Sequence, residues 1–144
     1  AMMSLRLDKA FGSWGREYSP DYTAAETGLD RFIHWSKPDA FIGRAAAEAA
    51  RASPPERVLV SFAVDAEDAD VNAYEPIWID GAVQGFCTSG GYAHHSATSV
   101  ALGLVPRSLA QPGLEAQIEI LGQMRKATLL TEPLFDADGA RMRG

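Results

Sequence analysis

Val58, Val60, Phe62 and Val64 stand at alternate positions of Arg57–Val64. A period of two turns one set of side chains to one face, so this run predicts a strand with those four residues in a core. Pro76–Ile79 and residues 82–86 are short apolar runs on either side of Asp80-Gly81, a dipeptide suited to the positive φ angles of a type I′ hairpin. Residues 100–105 form a mostly apolar run closed by Pro106. Residues 117–121 and 125–130 flank Gly122-Gln123, which predicts a second hairpin. Several short strands in about 80 residues, without long helices between them, predict a small antiparallel barrel or sandwich.

The first third follows a different pattern. Residues 39–52 are alanine-rich and predict a helix, although Gly43 weakens its first turn. Residues 29–35 alternate enough to predict a strand, and residues 23–27 suit one helical turn. Residues 4–11 carry two readings, since Leu5 and Leu7 alternate as in a strand while Leu7 and Phe11 stand at i, i+4. Between the two regions, Ser53-Pro54-Pro55-Glu56 cannot continue a helix. The chain is thus mainly β with an α/β N-terminal extension, and it divides into residues 1–54 and 55–144.

Composition changes this picture little. Of the 144 residues, 47% are hydrophobic and 22% charged, which are ordinary globular values and exclude a disordered chain. Gly 13 and Pro 8 punctuate the whole length and exclude a coiled coil. No apolar run reaches the roughly 18 residues of a membrane span. The balance of 13 basic and 19 acidic residues, a net charge of −6, makes nucleic acid a poor partner. A single Cys87 and no basic-then-apolar leader point to a reducing, cytoplasmic compartment. Ala1, ahead of Met2-Met3, carries no structural weight.

Candidate chemistry is sparse in the second region. His94-His95, adjacent and far from His34, lack the spacing of a metal site, and Cys87 has no CxxC partner. Ser89 or Ser96 with His94 or His95 lacks a nucleophile elbow and an orienting carboxylate. Gly90-Gly91 lacks the Lys-Ser/Thr of a phosphate loop and reads as a turn or a close backbone approach. The N-terminus is richer. Arg6, Asp8, Lys9, Arg16 and Glu17 sit among Leu5, Leu7, Phe11, Trp14 and Tyr18. Rings beside cations suit a flat anionic ligand, and the plainer alternative is an amphipathic surface segment with solvated charges.

Residues 4–29, SLRLDKAFGSWGREYSPDYTAAETGL, resemble the motif that ends the folate-binding domain of the glycine-cleavage T-protein (aminomethyltransferase) family. The likeness is greatest to the dimethylglycine and sarcosine dehydrogenases within it. Ser4, Leu5, Arg6, Leu7, Lys9, Phe11, Trp14, Gly15 and Glu17 match, as do Ala25, Glu26, Gly28 and Leu29. Phe41-Ile42-Gly43-Arg44, Glu75-Pro76-Ile77, Thr88-Ser89-Gly90-Gly91-Tyr92, Ser99-Val100-Ala101-Leu102-Gly103, Pro133-Leu134-Phe135-Asp136 and Arg141 follow in the family's order. Asp8 replaces the usual Glu, Ala10 the usual Gly, and Thr27 the usual Ala.

The resemblance implies a C-terminal six-stranded Greek-key antiparallel β-barrel over residues 55–144, with residues 1–54 ending the folate domain. It implies tetrahydrofolate as cofactor, receiving a one-carbon unit from an aminomethyl group, and FAD only where an upstream dehydrogenase domain exists. Arg6 becomes the folate contact, and Trp14 lies near that site. The family's catalytic Asp and most pterin contacts lie upstream of the matched region, so the chain reads as a non-catalytic end of such a protein. With the rest absent, Arg6 is expected to be open to water. The N-terminal face, at Leu5, Leu7 and Trp14, is expected to be exposed and to support a homo-oligomer. A stand-alone binding or interaction domain that kept the barrel is the alternative.

Overall fold

The structure is a computed structural model describing residues 1–144, apart from the side chain of Met142. Six strands, β1 (Arg57–Val64), β2 (Pro76–Ile79), β3 (Ala82–Ala93), β4 (Thr98–Pro106), β5 (Glu115–Ile120) and β6 (Gln123–Leu130), close into a barrel in the order β1-β4-β3-β2-β5-β6. Every pairing is antiparallel. The β2-β3-β4 meander is joined by hairpins, and residues 65–75 carry the chain from β1 across to β2, the Greek-key return. Closure removes the open edges that a sheet would otherwise expose.

The alternation of β1 holds. Phe62 and Val64 are buried in the barrel core, and Val60 packs against it half-buried. Val58, expected in that core, is only half-buried. Phe62, Ile77, Ile79, Cys87, Val105, Ile118 and Ile120 fill the interior, and Val71 from the β1–β2 loop is buried with them. Asp80-Gly81 turns with φ 52° and 77°, as the hairpin reading requires. The second hairpin turns one residue earlier than expected, at Leu121-Gly122 with φ 49° and 80°.

The N-terminal extension is helical. Helix α1 (Met2–Asp8) resolves the two readings of residues 4–11 in favour of the helix. Helix α2 (Ala24–Thr27) is opened by a capping box between Thr23 and Glu26. Residues 29–35, expected as a strand, instead begin with a 3-10 turn, Leu29–Phe32. Gly28 stands at φ 70° immediately before them, and that left-handed step leads into a turn rather than into extended chain. Helix α3 (Arg44–Ala52) starts five residues later than expected, because Gly43 at φ 86° ends the preceding loop instead of joining the helix.

A second, smaller core joins the two regions. Leu7 of α1 is buried against Ala93, Val100 and Leu102, with Leu59 and Leu134 at its margin. Val100 and Leu102 belong to the outer face of β4, while Ala101 and Val105 face the barrel interior. Strand β4 is therefore buried on both sides, which is why it reads as a continuous apolar run rather than an alternating one.

Candidate functional site

The charged residues of the N-terminal segment meet the outer wall of the barrel. Glu17 is fully buried, and Arg6 is 9% exposed. The Arg6 Nη1 lies 3.7 Å from Glu17 Oε2 and donates to the Phe11 carbonyl at 3.1 Å. The same Glu17 oxygen accepts the Ser13 backbone N–H at 2.8 Å. Its other oxygen accepts the Ser89 hydroxyl. One carboxylate thereby ties α1, the loop after it and strand β3 together.

A bulge in β3 makes this contact. Cys87 pairs with Gly103 and Ser89 with Leu102, so Thr88 is the extra residue between two consecutive partners. Without it, Cys87 and Ser89 would share a face. With it, Cys87 enters the barrel core while Ser89 turns outward to Glu17. Thr88 meets the ladder through its own hydroxyl, which donates to the Leu102 carbonyl at 3.1 Å. Gly90 and Gly91 lie inside this strand rather than in a turn. A Cβ on Gly90 would stand 2.5 Å from that of Val71, so the chain approaches closely there.

The electrostatics follow from burial and hydrogen bonds. Burial pulls the Arg6 guanidinium below its ordinary value, and Glu17 only partly restores it. Burial alone would push the Glu17 carboxyl up, yet hydrogen bonds from Ser89 and Ser13 hold it below the usual range. Arg6 keeps two donors, Nε and Nη2, buried and without a hydrogen-bond partner among the described residues. Cys87, 0% exposed, has its thiol pushed up to about 12 by burial, which makes it a packing residue rather than a nucleophile.

Two further ion pairs dock the extension. Arg57 of β1 donates to Glu26 at 2.8 Å. Lys9 pairs with Asp136 at 3.3 Å and bonds to its carbonyl, which ties α1 to the segment after β6. Asp8, 1% exposed, accepts the Ser96 backbone N–H at 3.1 Å and the Ser96 hydroxyl on Oδ1.

The sequence-predicted residues thus separate. Arg6, expected open to water, is buried against Glu17, because α1 lies on the barrel wall through Leu7. Arg6, Asp8 and Glu17 are accordingly not the solvated charges of a surface segment. Trp14 is 85% exposed and sits in a bridge with Tyr18. Leu7, expected at the surface, is 3% exposed, whereas Leu5 is 56% exposed. Ser89 and Ser96 give their hydroxyls to carboxylates, and His94 and His95 stack edge-on against Tyr92 and Phe135. The partnership of Glu17 with Ser89 was not visible in the sequence, since only the bulge at Thr88 aims Ser89 outward.

Comparison with known proteins gives this geometry a family. Residues 57–136, from the first residue of β1 to just past β6, match the glycine cleavage T-protein C-terminal barrel domain, and the chain belongs to that family. Across nearly its whole length it resembles two kinds of longer protein. It is 38% identical over 143 residues to the mitochondrial dimethylglycine dehydrogenase of Mus musculus, covering 99% of this chain and 16% of that protein. It is 35% identical over 132 residues to an aminomethyltransferase of Synechococcus sp. (strain WH7803), covering 92% of this chain and 36% of that protein. The glycine cleavage system aminomethyltransferase T of Bartonella henselae shares the fold, with TM-score 0.79 at 24% identity over 93% of this chain and 38% of that one. The chain therefore spans a minor part of the relatives it matches.

Proposed function

We propose that this chain is the folate-associated C-terminal region of a dimethylglycine or sarcosine dehydrogenase-like protein or an aminomethyltransferase. It assists transfer of a one-carbon unit to tetrahydrofolate without carrying the catalytic group. Residues 1–54 then complete a folate-binding domain, and residues 55–144 buttress it. The observation that carries this reading is Arg6, held on the barrel wall with Nε and Nη2 unpartnered. The planar fork suits a carboxylate or a polar ring edge, and its two unspent donors, sealed from water here, meet a ligand only when the packing around them opens. Trp14, exposed on the same N-terminal segment, offers a face for stacking. Tetrahydrofolate, when bound, supplies the nitrogens that accept the one-carbon unit. The role of Arg6 is to hold and orient it, and the role of Glu17 is to hold Arg6. The buried, unpaired Cys87 supports a reducing compartment, and we assign the cytoplasm. Among the described residues no helix is long and apolar enough to cross a membrane.

Calorimetry with tetrahydrofolate tests the reading. A drug-sized ligand needs enclosure on most sides, and a charge-assisted hydrogen bond contributes only about 1.5–3 kcal/mol, whereas millimolar affinity already needs about 4 kcal/mol. The 144-residue chain alone is therefore expected to bind no tighter than about millimolar. Joined to the rest of an aminomethyltransferase, it is expected to bind well, and Arg6→Lys, which keeps the charge and loses the fork, to weaken binding by about 1–3 kcal/mol. Micromolar binding by the chain alone would show a complete pocket here and end the view of it as one part of a site. An unchanged affinity in the Arg6→Lys protein would remove Arg6 from the site.

A further inference from the structure

Ser89 is fully buried where the loop after α1 meets the barrel. Its strand, β3, pairs with β4 from Phe86 to Ala93, which fixes the backbone that carries it. Two residues further on, a Cβ on Gly91 would stand 3.3 Å from Leu7 Cδ1, so α1 lies close over the same stretch of strand. The Ser89 hydroxyl donates to Glu17 Oε1. Glu17 Oε2 is thereby left for the N-terminal segment: it accepts the Ser13 N–H at 2.8 Å and stands 3.7 Å from Arg6 Nη1. One oxygen faces the barrel and the other faces Arg6.

Arg6 is held by one nitrogen. Nη1 has Glu17 and the Phe11 carbonyl, whereas Nε and Nη2 have no partner among the described residues. Those two nitrogens share one edge of the planar guanidinium, the edge that takes a planar acceptor by two parallel bonds. When the packing over that edge opens, Nη1 stays tethered to a carboxylate that is itself pinned from the sheet. Without the Ser89 hydroxyl, a buried carboxylate oxygen loses its donor, which favours a different side-chain rotamer or a protonated carboxyl. We propose that Ser89 is a positioning residue for Arg6: through Glu17 Oε1 it sets the orientation in which the Nε–Nη2 edge meets a ligand. The barrel then takes part in ligand binding without a ligand contact of its own. The proposal rests on the reading of Arg6 as a folate contact.

The test begins with NMR of the 144-residue chain, following the Arg6 Nε–H and the Glu17 carboxyl. Ser89→Ala should speed exchange of the Arg6 Nε–H with water about tenfold and raise the pH at which Glu17 titrates. Ser96→Ala removes a comparable hydroxyl, given to Asp8 of the same helix, and should change neither. Equal effects of the two substitutions would show that Ser89 merely holds α1 down, and would overturn the proposal, as would no effect of Ser89→Ala. In the unsubstituted chain the Ser89 hydroxyl proton should be visible, slow to exchange, and lost as Glu17 titrates. A fast-exchanging hydroxyl overturns the proposal whether or not the variant folds. In the chain joined to the rest of an aminomethyltransferase, Ser89→Ala should weaken tetrahydrofolate about tenfold and add little to Arg6→Lys, since both act through one guanidinium. A loss of affinity in Arg6→Lys with none in Ser89→Ala overturns the positioning role alone. An unchanged affinity in Arg6→Lys overturns the folate reading, and the proposal with it.

Discussion

Glu17 keeps its charge where water does not reach, and its hydrogen bonds make that tolerable. Removing the carboxylate would leave Arg6 buried with no counter-charge, and breaking a buried pair in this way costs about 3–5 kcal/mol. Glu17→Ala is therefore expected to lose about 3 kcal/mol in urea unfolding at neutral pH. The pH dependence has a definite sign. The folded-state value of Glu17 is depressed, so between the folded and unfolded values the unfolded chain binds more protons. Its stabilisation is present above the ordinary glutamate value, about pH 4.3, and is lost as pH falls through the folded value. Unfolding midpoints measured from about pH 2 to 6 should fall less steeply for Glu17→Gln than for the parent. Gly85 makes a second residue-scale case. A Cβ there would stand 2.2 Å from the Leu104 carbonyl oxygen, a backbone atom that cannot rotate away. Gly85→Ala is expected to lose about 1–3 kcal/mol by overpacking. An unchanged midpoint in denaturant would show that β3 and β4 can separate without cost.

At the scale of elements, the strands were legible because each satisfies a local rule. Arg57–Val64 and Pro76–Ile79 have the ends that alternation and turn chemistry gave them. The misses have physical causes too. Gly43 and Gly28 adopt positive φ, which ended the loop before α3 late and turned residues 29–32 into a 3-10 turn. Gly122-Gln123 read as the turn because glycine is the strongest local signal, yet the two-residue turn needs positive φ at both positions and takes Leu121 as its first. Leu121 is 80% exposed and strained in the left-handed region. Leu121→Asn restores the preferred Asn-Gly pair and should raise stability by about 1 kcal/mol, read from the urea midpoint. A fall would mean that Leu121 packs in a way its exposure does not suggest. Of the candidate site, resemblance alone singled out Arg6, and its burial depended on Leu7 docking over Val100 and Leu102, a contact across more than ninety residues that no local pattern encodes.

For the molecule as a whole, exposure is unevenly spread. Met2, Leu5, Phe11, Trp14, Phe32 and Ile42, all in the N-terminal extension, are each at least 46% exposed. The barrel's own apolar residues are largely spent on its interior and on the seam with α1. Helix α3 adds none of its residues to either core. Single exposed apolar side chains are ordinary, but a concentration of large ones on one region favours association. The extension also lacks a continuous sheet edge, so a contact there rests on side chains alone and forms without strand pairing. We therefore expect weak, concentration-dependent self-association through this face. Sedimentation velocity should show the weight-average coefficient rising with loading concentration, and Leu5→Ser with Trp14→Ser should flatten that rise while leaving the unfolding midpoint unchanged, because both side chains are exposed. Strictly monomeric sedimentation at the highest concentration reached would remove this face as an interface between copies. A rise that survives the double substitution would move the contact to the barrel, where Tyr74, Val83, Tyr92, Leu121 and Met124 are exposed.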